Sequence, residues 1–181
     1  SAAQEGWDYY IHDGHVSRTW FLTQAPRGSV QSNVLRSLLD AHRDVNRKRV
    51  TMVYRPIEPG EAARLGEQDK RNADVRASTR RPSARAQLNK RSADRMAEEE
   101  AAGAGLVNFG MIVTATVPAT YGDVEERMHA AEAAIDNLAA TARLTLRPVY
   151  GSQASAFAAG LPLGVVLPSH LNIAAETREF L

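Results

Sequence analysis

The stretch from Leu106 to Ala142 changes its hydrophobic period once, and that change constrains the fold more than any other feature of the chain. Val107, Phe109, Met111, Val113, Ala115 and Val117 alternate with polar or small residues as far as Pro118. Side chains two apart share one face of an extended chain, so this alternation predicts a long strand with one apolar face. After Pro118 the period becomes helical: Val124, Met128, Ala131, Ile135, Leu138 and Ala142 recur at spacings of four and three. That spacing predicts an amphipathic helix, and Asp123 followed by Glu126 fits a capping pattern at its start. Leu144 to Val149 supplies a closing strand, with Leu144 and Leu146 on one side and Thr145 and Arg147 on the other.

The same pattern occurs earlier. Val16 to Leu22 reads as a strand ending at the turn signal Pro26-Arg27-Gly28. Ser29 can cap a following helix, in which Val30, Val34, Leu35, Leu38 and Leu39 form one stripe. Arg49 to Arg55 reads as the next strand, with Val50, Met52 and Tyr54 on one face and Pro56 closing it. Two β-α-β units in series predict an α+β fold built on a ferredoxin-like double β-α-β sheet.

Between the units, residues 59–103 carry no strand signal and are rich in Ala, Arg, Glu, Gln and Lys, which predicts a helical insertion. Pro59 suits a first helical turn, Pro82 disfavours helix at Arg81, and Gly103 with Gly105 supplies a stop. Two helices meeting near Ser78 to Ser83, a helical hairpin, follow from these signals. Ala84, Leu88 and Arg91 make only a thin apolar stripe, so the arm is expected to project from the body or to dock on a partner.

Charge narrows the functional classes. The formal net charge of +1 gives no overall field toward nucleic acid or an anionic membrane, so any such attraction has to be local. One local cluster exists: Arg64 to Arg95 holds ten basic residues against Glu67, Asp69, Asp74 and Asp94. Within it Arg76, Arg80, Arg81, Arg85, Lys90 and Arg91 are the candidate interaction residues, able to meet phosphates or an acidic protein surface. The stretch has no aromatic side chain to stack on bases, which disfavours single-strand binding. An RNA-reading sheet would instead expose aromatics such as Phe109, but Phe109 follows the apolar alternation and is assigned to the core, and Asn108 and Gly110 beside it carry no ring.

No catalytic constellation emerges. The chain has no cysteine, hence no disulfide, thiol nucleophile or thiolate metal site. His12-Asp13-Gly14-His15 resembles a metal pair but sits in a turn-like segment without a third ligand at a recognisable spacing. His42, His129 and His170 are isolated, and no G-x-x-x-x-G-K-[ST] phosphate loop occurs. No catalytic, cofactor or metal residue is therefore assigned, no cofactor is expected, and no apolar run is long enough to span a bilayer.

Order and spacing add a resemblance. Thr19-Trp20-Phe21 leading to Ala25-Pro26-Arg27, the strand Arg49 to Pro56, the basic insertion, and Leu146-Arg147-Pro148-Val149-Tyr150-Gly151-Ser152-Gln153 followed by Ala156-Phe157 and Leu161-Pro162-Leu163-Gly164 form one series. Together they resemble the amino-terminal domain of conjugal transfer and type IV secretion system ATPases, of the actinobacterial branch carried on conjugative elements. In that family a similar segment ends the amino-terminal domain and a RecA-like motor with Walker motifs follows. The resemblance implies a non-enzymatic assembly and docking domain, cytoplasmic and peripheral to the inner face of the cell membrane. Its implied partners are inner-membrane channel subunits and neighbouring copies of itself. It also implies that residues 1–15 are a tag remnant and lead-in, 16–168 a single domain with the insertion at 59–103, and 169–181 the start of a linker toward the ATPase domain. The alternative reading is a nucleic-acid-binding α+β module that uses the basic helical arm.

Overall fold

A computed structural model describes residues 3–26, 30–77, 107–120 and 122–164, with residues 87, 90–91, 93–95 and 98 between them. In chain order the elements are β1 (Gln4–Glu5), β2 (Tyr10–His12), β3 (His15–Gln24), α1 (Arg36–Leu39), β4 (Arg47–Pro56), α2 (Pro59–Ala77), β5 (Val107–Pro118), α3 (Val124–Thr141), β6 (Thr145–Pro148) and α4 (Gln153–Ala159). The strands form one antiparallel sheet in the order β1-β2-β3-β5-β4, with β6 also paired to β3. The fold is therefore mixed α+β. The chain falls into two compact units, one of residues 1–26, 31–52 and 110–181, the other of 27–30 and 53–109.

Alternation determines which side chains of the first unit are buried. Arg18 stands opposite Ala115 and Trp20 opposite Val113, and these share one face of the sheet. Against that face lie Ala131, Ala134, Ile135 and Ala139 of α3 and Leu38 of α1, with Trp20, Val113, Ala131 and Ile135 wholly buried. Alanines at this interface let the helix approach the strands closely around the Trp20 indole. The apolar stripe expected on α3 is thus the one that packs, with Ala134 and Ala139 added to it.

Several expectations need correction. The stripe from Val30 to Leu39 does not form one helix: turns occupy positions 32–35, and only Arg36–Leu39 is helical. Leu35 begins it without a side-chain cap, and Ser29 lies outside the described residues. Turns suffice because Val34, Leu35 and Leu38 still reach the core. Asp123 makes no capping bond either, since both its oxygens accept from Arg127 Nε at 2.9 Å. The segment assigned as lead-in contains β1, β2 and the first residue of β3. Asp13 and Gly14, at φ 45° and 71°, close a two-residue hairpin that adds β1 and β2 to the sheet.

At the other end of α3 a Schellman motif forms. Leu144 N–H donates to Ala139 C=O at 2.8 Å and Arg143 N–H to Ala140 C=O at 3.0 Å. Arg143 holds the left-handed position, φ 56°, where glycine is usual.

In the second unit α2 begins at Pro59 as expected. Position 90 is helical, and Lys90 Nζ meets Asp74 Oδ1 at 2.6 Å, so the chain after α2 returns alongside it. Residues 78–86, where the two helices of the insertion were expected to meet, lie outside the described residues, as do Leu106 and 165–181. Phe109 is not a core residue: it is 41% exposed, as Val107 and Tyr54 also are in large part. The alternation of β5 outlasts its burial, which begins only at Met111.

Candidate functional site

The face of the sheet turned away from α1 and α3 is polar. Ser17 Oγ and Thr116 Oγ1 bond at 2.7 Å, and Thr19 Oγ1 and Thr114 Oγ1 at 3.1 Å, across β3 and β5. All four are buried. A buried sheet face is ordinarily apolar because each enclosed hydroxyl needs a partner to offset lost hydration. Here the hydroxyls satisfy one another in a row.

The seven-residue helix α4 crosses this face. At its start the Glu5 carboxylate accepts from Ala154 N–H at 2.9 Å. At its end Gly160 C=O accepts from the Thr51 hydroxyl of β4 at 2.7 Å, and the Cβ position of Gly160 lies 3.5 Å from Ile112 Cγ2 of β5. In the middle, the Phe157 ring meets His12 at 4.3 Å and Tyr10 at 5.4 Å between centroids. The Arg49 guanidinium stands over the same ring at 4.7 Å and donates to the Phe157 carbonyl at 3.3 Å.

Gln153 fixes α4 in register. β3 pairs with β2 as far as Ser17 and with β6 from Trp20 onward, which leaves a gap in the ladder at Thr19. The Gln153 amide fills it: Oε1 accepts from Thr19 N–H at 2.8 Å, and Nε2 donates to Thr19 C=O at 3.2 Å and Val149 C=O at 2.7 Å. A buried side chain thereby does what a strand residue would do.

His12 joins these features. Its Nε2 lies 2.8 Å from Ser17 Oγ and its Nδ1 3.6 Å from Asp13 Oδ2, while its ring stacks on Tyr10 and near His15. Burial lowers its pKa; Asp13 works against the shift, and His15 and Arg49 work with it. Arg49 is likewise lowered by burial and by Arg47, and its Nε is buried without a hydrogen-bond partner. Asp13, His12 and Ser17 have the connectivity of a nucleophilic triad, but the Ser17 hydroxyl is wholly buried and bonded to Thr116, so it meets no substrate in this conformation.

Two further features lie apart from α4. Arg18, buried on the helix-covered face, is held by the Asp8 and Glu132 carboxylates and by Asp8 C=O. Trp7 and Tyr150 stack at 5.9 Å and are both exposed, Trp7 by 69%. Gly151 makes this pair possible: its N–H donates to Trp7 C=O, and at φ 69° a Cβ would stand 3.0 Å from the Trp7 ring.

Of the six predicted interaction residues, Arg76, Lys90 and Arg91 are among the described ones. Arg76 is part of α2, Lys90 is paired with Asp74, which raises its pKa, and Arg91 is exposed. Arg80, Arg81 and Arg85 lie outside the described residues. Among the described residues no group of three or more His, Asp or Glu side chains is placed to hold a metal ion. His12 and His15 instead direct ring nitrogens to Ser17 and to Asp13 C=O. No described helix is long and apolar enough to cross a membrane.

The features that reading the sequence missed are the Gln153 seam, the His12 contacts and the Trp7–Tyr150 pair. Only Gly151-Ser152-Gln153 gave a signal, as part of the segment that carried the resemblance. The chain matches no family model, no curated protein and no solved structure.

Proposed function

We propose that this chain is a ferredoxin-like assembly domain whose work is protein docking, in the setting of a conjugative or type IV secretion ATPase. The strand order β6-β3-β5-β4, with α1 and α3 as the crossovers, supports the ferredoxin-like part of the reading. One observation carries the docking part: Val53, Tyr54, Leu65, Val75, Val107 and Phe109 are all exposed in the second unit. Several large apolar side chains left exposed in one unit are the feature that favours a contact role. The partners in this reading are channel subunits at the cytoplasmic face of the inner membrane, with self-association as a second contact. The motor chemistry belongs to a separate ATPase domain.

The test is binding of the purified chain to the cytoplasmic segments of such channel subunits, with Tyr54→Lys and Phe109→Lys compared against the wild type. Loss of binding at unchanged thermal stability supports the docking reading. Unchanged binding by both variants overturns the assignment of this surface. Binding to DNA that falls with salt at about −0.9 log units per neutralised phosphate would replace it with the nucleic-acid reading through the basic arm.

A further inference from the structure

The hydroxyl row on the α4 side of the sheet is built from residues suited to water, yet it is enclosed. Ser17, Thr19, Thr114 and Thr116 account for four of the six buried polar or charged side chains among the described residues. The helix over them is short, and most of its fastenings are polar or cationic: Glu5 at its start, Gln153 in the seam, Arg49 and His12 at Phe157, and Thr51 at Gly160. Apolar burial drives helix docking elsewhere in this protein, but in α4 only Gln153 and Ala156 are fully buried. A seven-residue helix has little stability of its own when such contacts are removed. These two observations, a face that tolerates water and a helix held by polar ties, describe a cover able to come off without exposing a hydrophobic core.

We propose that α4 is a displaceable strap, docked while His12 is neutral and released when His12 takes a proton. The groups around His12 decide the direction. Tyr10 stacks on it from its own strand, His15 and Ser17 face it from β3, Phe157 covers it from α4, and Arg49 of β4 lies across that Phe157 ring. Protonation sets a second cation against the ring that Arg49 already occupies, with His15 beside it. Asp13 is the one carboxylate in reach, at 3.6 Å, and its side chain is 94% exposed. Water screens that attraction, whereas the repulsion and the lost hydration act on the buried side. The net effect favours rehydration of the ring away from Arg49 and His15, and the cover that has to lift for this is Phe157. Because His12 is protonated in the released state, it is no base for Ser17 there, so release does not assemble a triad. The proposal does not depend on the docking surface of the second unit.

Hydrogen exchange on the full chain tests it. Protection of the amides from Ala154 to Gly160, corrected for intrinsic rates, is compared at about pH 7.5 and about pH 5.5, on either side of the ordinary imidazole range. The expected result is a loss of protection at the lower pH of about fivefold or more, the lower end of ordinary coupling between sites. Amides of α3 should keep their protection. In His12→Gln, which can still bond Ser17 but cannot titrate, the loss should disappear. Equal α4 protection at both pH values, or a loss that persists in His12→Gln, overturns the proposal. If that variant does not fold, an NMR titration of the wild type decides: coincident midpoints for the His12 ring and the α4 amides support the strap, and separate midpoints overturn it.

Discussion

At the scale of single residues, the strongest dependence falls on Gln153. Its amide is the hydrogen-bond acceptor for Thr19 N–H, so Gln153→Ala leaves that buried donor orphaned and is expected to cost about 1–3 kcal/mol. Thr19 C=O is affected less because it also accepts from Val149 N–H at 3.0 Å. Gln153→Glu retains the acceptor but turns oxygen toward the Thr19 and Val149 carbonyls. That variant should be weak at neutral pH and recover in part at acid pH, where a protonated carboxyl donates again. Urea unfolding midpoints at the two pH values measure both variants. His12 gives a second prediction. Its pKa is lowered in the folded chain by burial, so between the folded value and the ordinary value of 6.5 the unfolded chain binds more protons. Stability is therefore expected to decline as pH falls from about 6.5 through the folded value, and His12→Gln should flatten that part of the profile. A profile unchanged by the substitution would assign the decline to other groups.

At the scale of elements, two positive backbone angles make predictions of opposite sign. Arg143 occupies the left-handed position that ends α3, with its side chain exposed. Arg143→Gly removes the steric cost of that conformation and should raise stability by about 1 kcal/mol, read as a higher melting temperature. Gly14→Ala introduces the same cost into the β2–β3 turn at φ 71° and should lower stability by about 1 kcal/mol, although no atom stands within 4 Å of the new Cβ. If Gly14→Ala is neutral, the turn relaxes without disturbing β1 and β2. Legibility divides along the same line. β5 and α3 could be read because each is long, twelve and eighteen residues, and keeps its apolar side chains on one face, although β5 is buried only from Met111. α1 could not be read to length, because apolar residues from Val30 to Leu39 meet the core through turns as well as through helix. The β1–β2 hairpin was hidden because two short, aromatic and polar strands carry no long alternation. The α4 site was invisible in principle: Gln153 answers a backbone gap 134 residues away, and no local pattern records a missing ladder bond.

At the scale of the whole molecule, the insertion and the hydrophobic core use different residues. Trp20, Leu38, Val45, Met111, Val113, Ala131, Ile135 and Leu144 belong to a core cluster that, among the described residues, draws no member from 53–109. The long apolar alternation of β5 crosses that boundary, which is why Phe109 read as core and yet is exposed: the pattern starts before the buried part of the strand does. The described residues of this segment lie outside that cluster and include exposed Val53, Tyr54 and Phe109, so the proposed docking role predicts that contact and stability can be separated. Removal of residues 57–106, with β4 and β5 joined by a two-residue Asn-Gly turn, tests this division, since those strands are already neighbours in an antiparallel sheet. The shortened chain is expected to keep cooperative unfolding and the near-ultraviolet signal of buried Trp20, and to bind the docking partner more weakly, because exposed Leu65 leaves with the deletion while Tyr54 and Phe109 stay. Loss of cooperative unfolding would show that the insertion supports the core after all. Binding that is not weakened would confine the contact to residues that remain, Tyr54 and Phe109 first and then the exposed Trp7–Tyr150 stack.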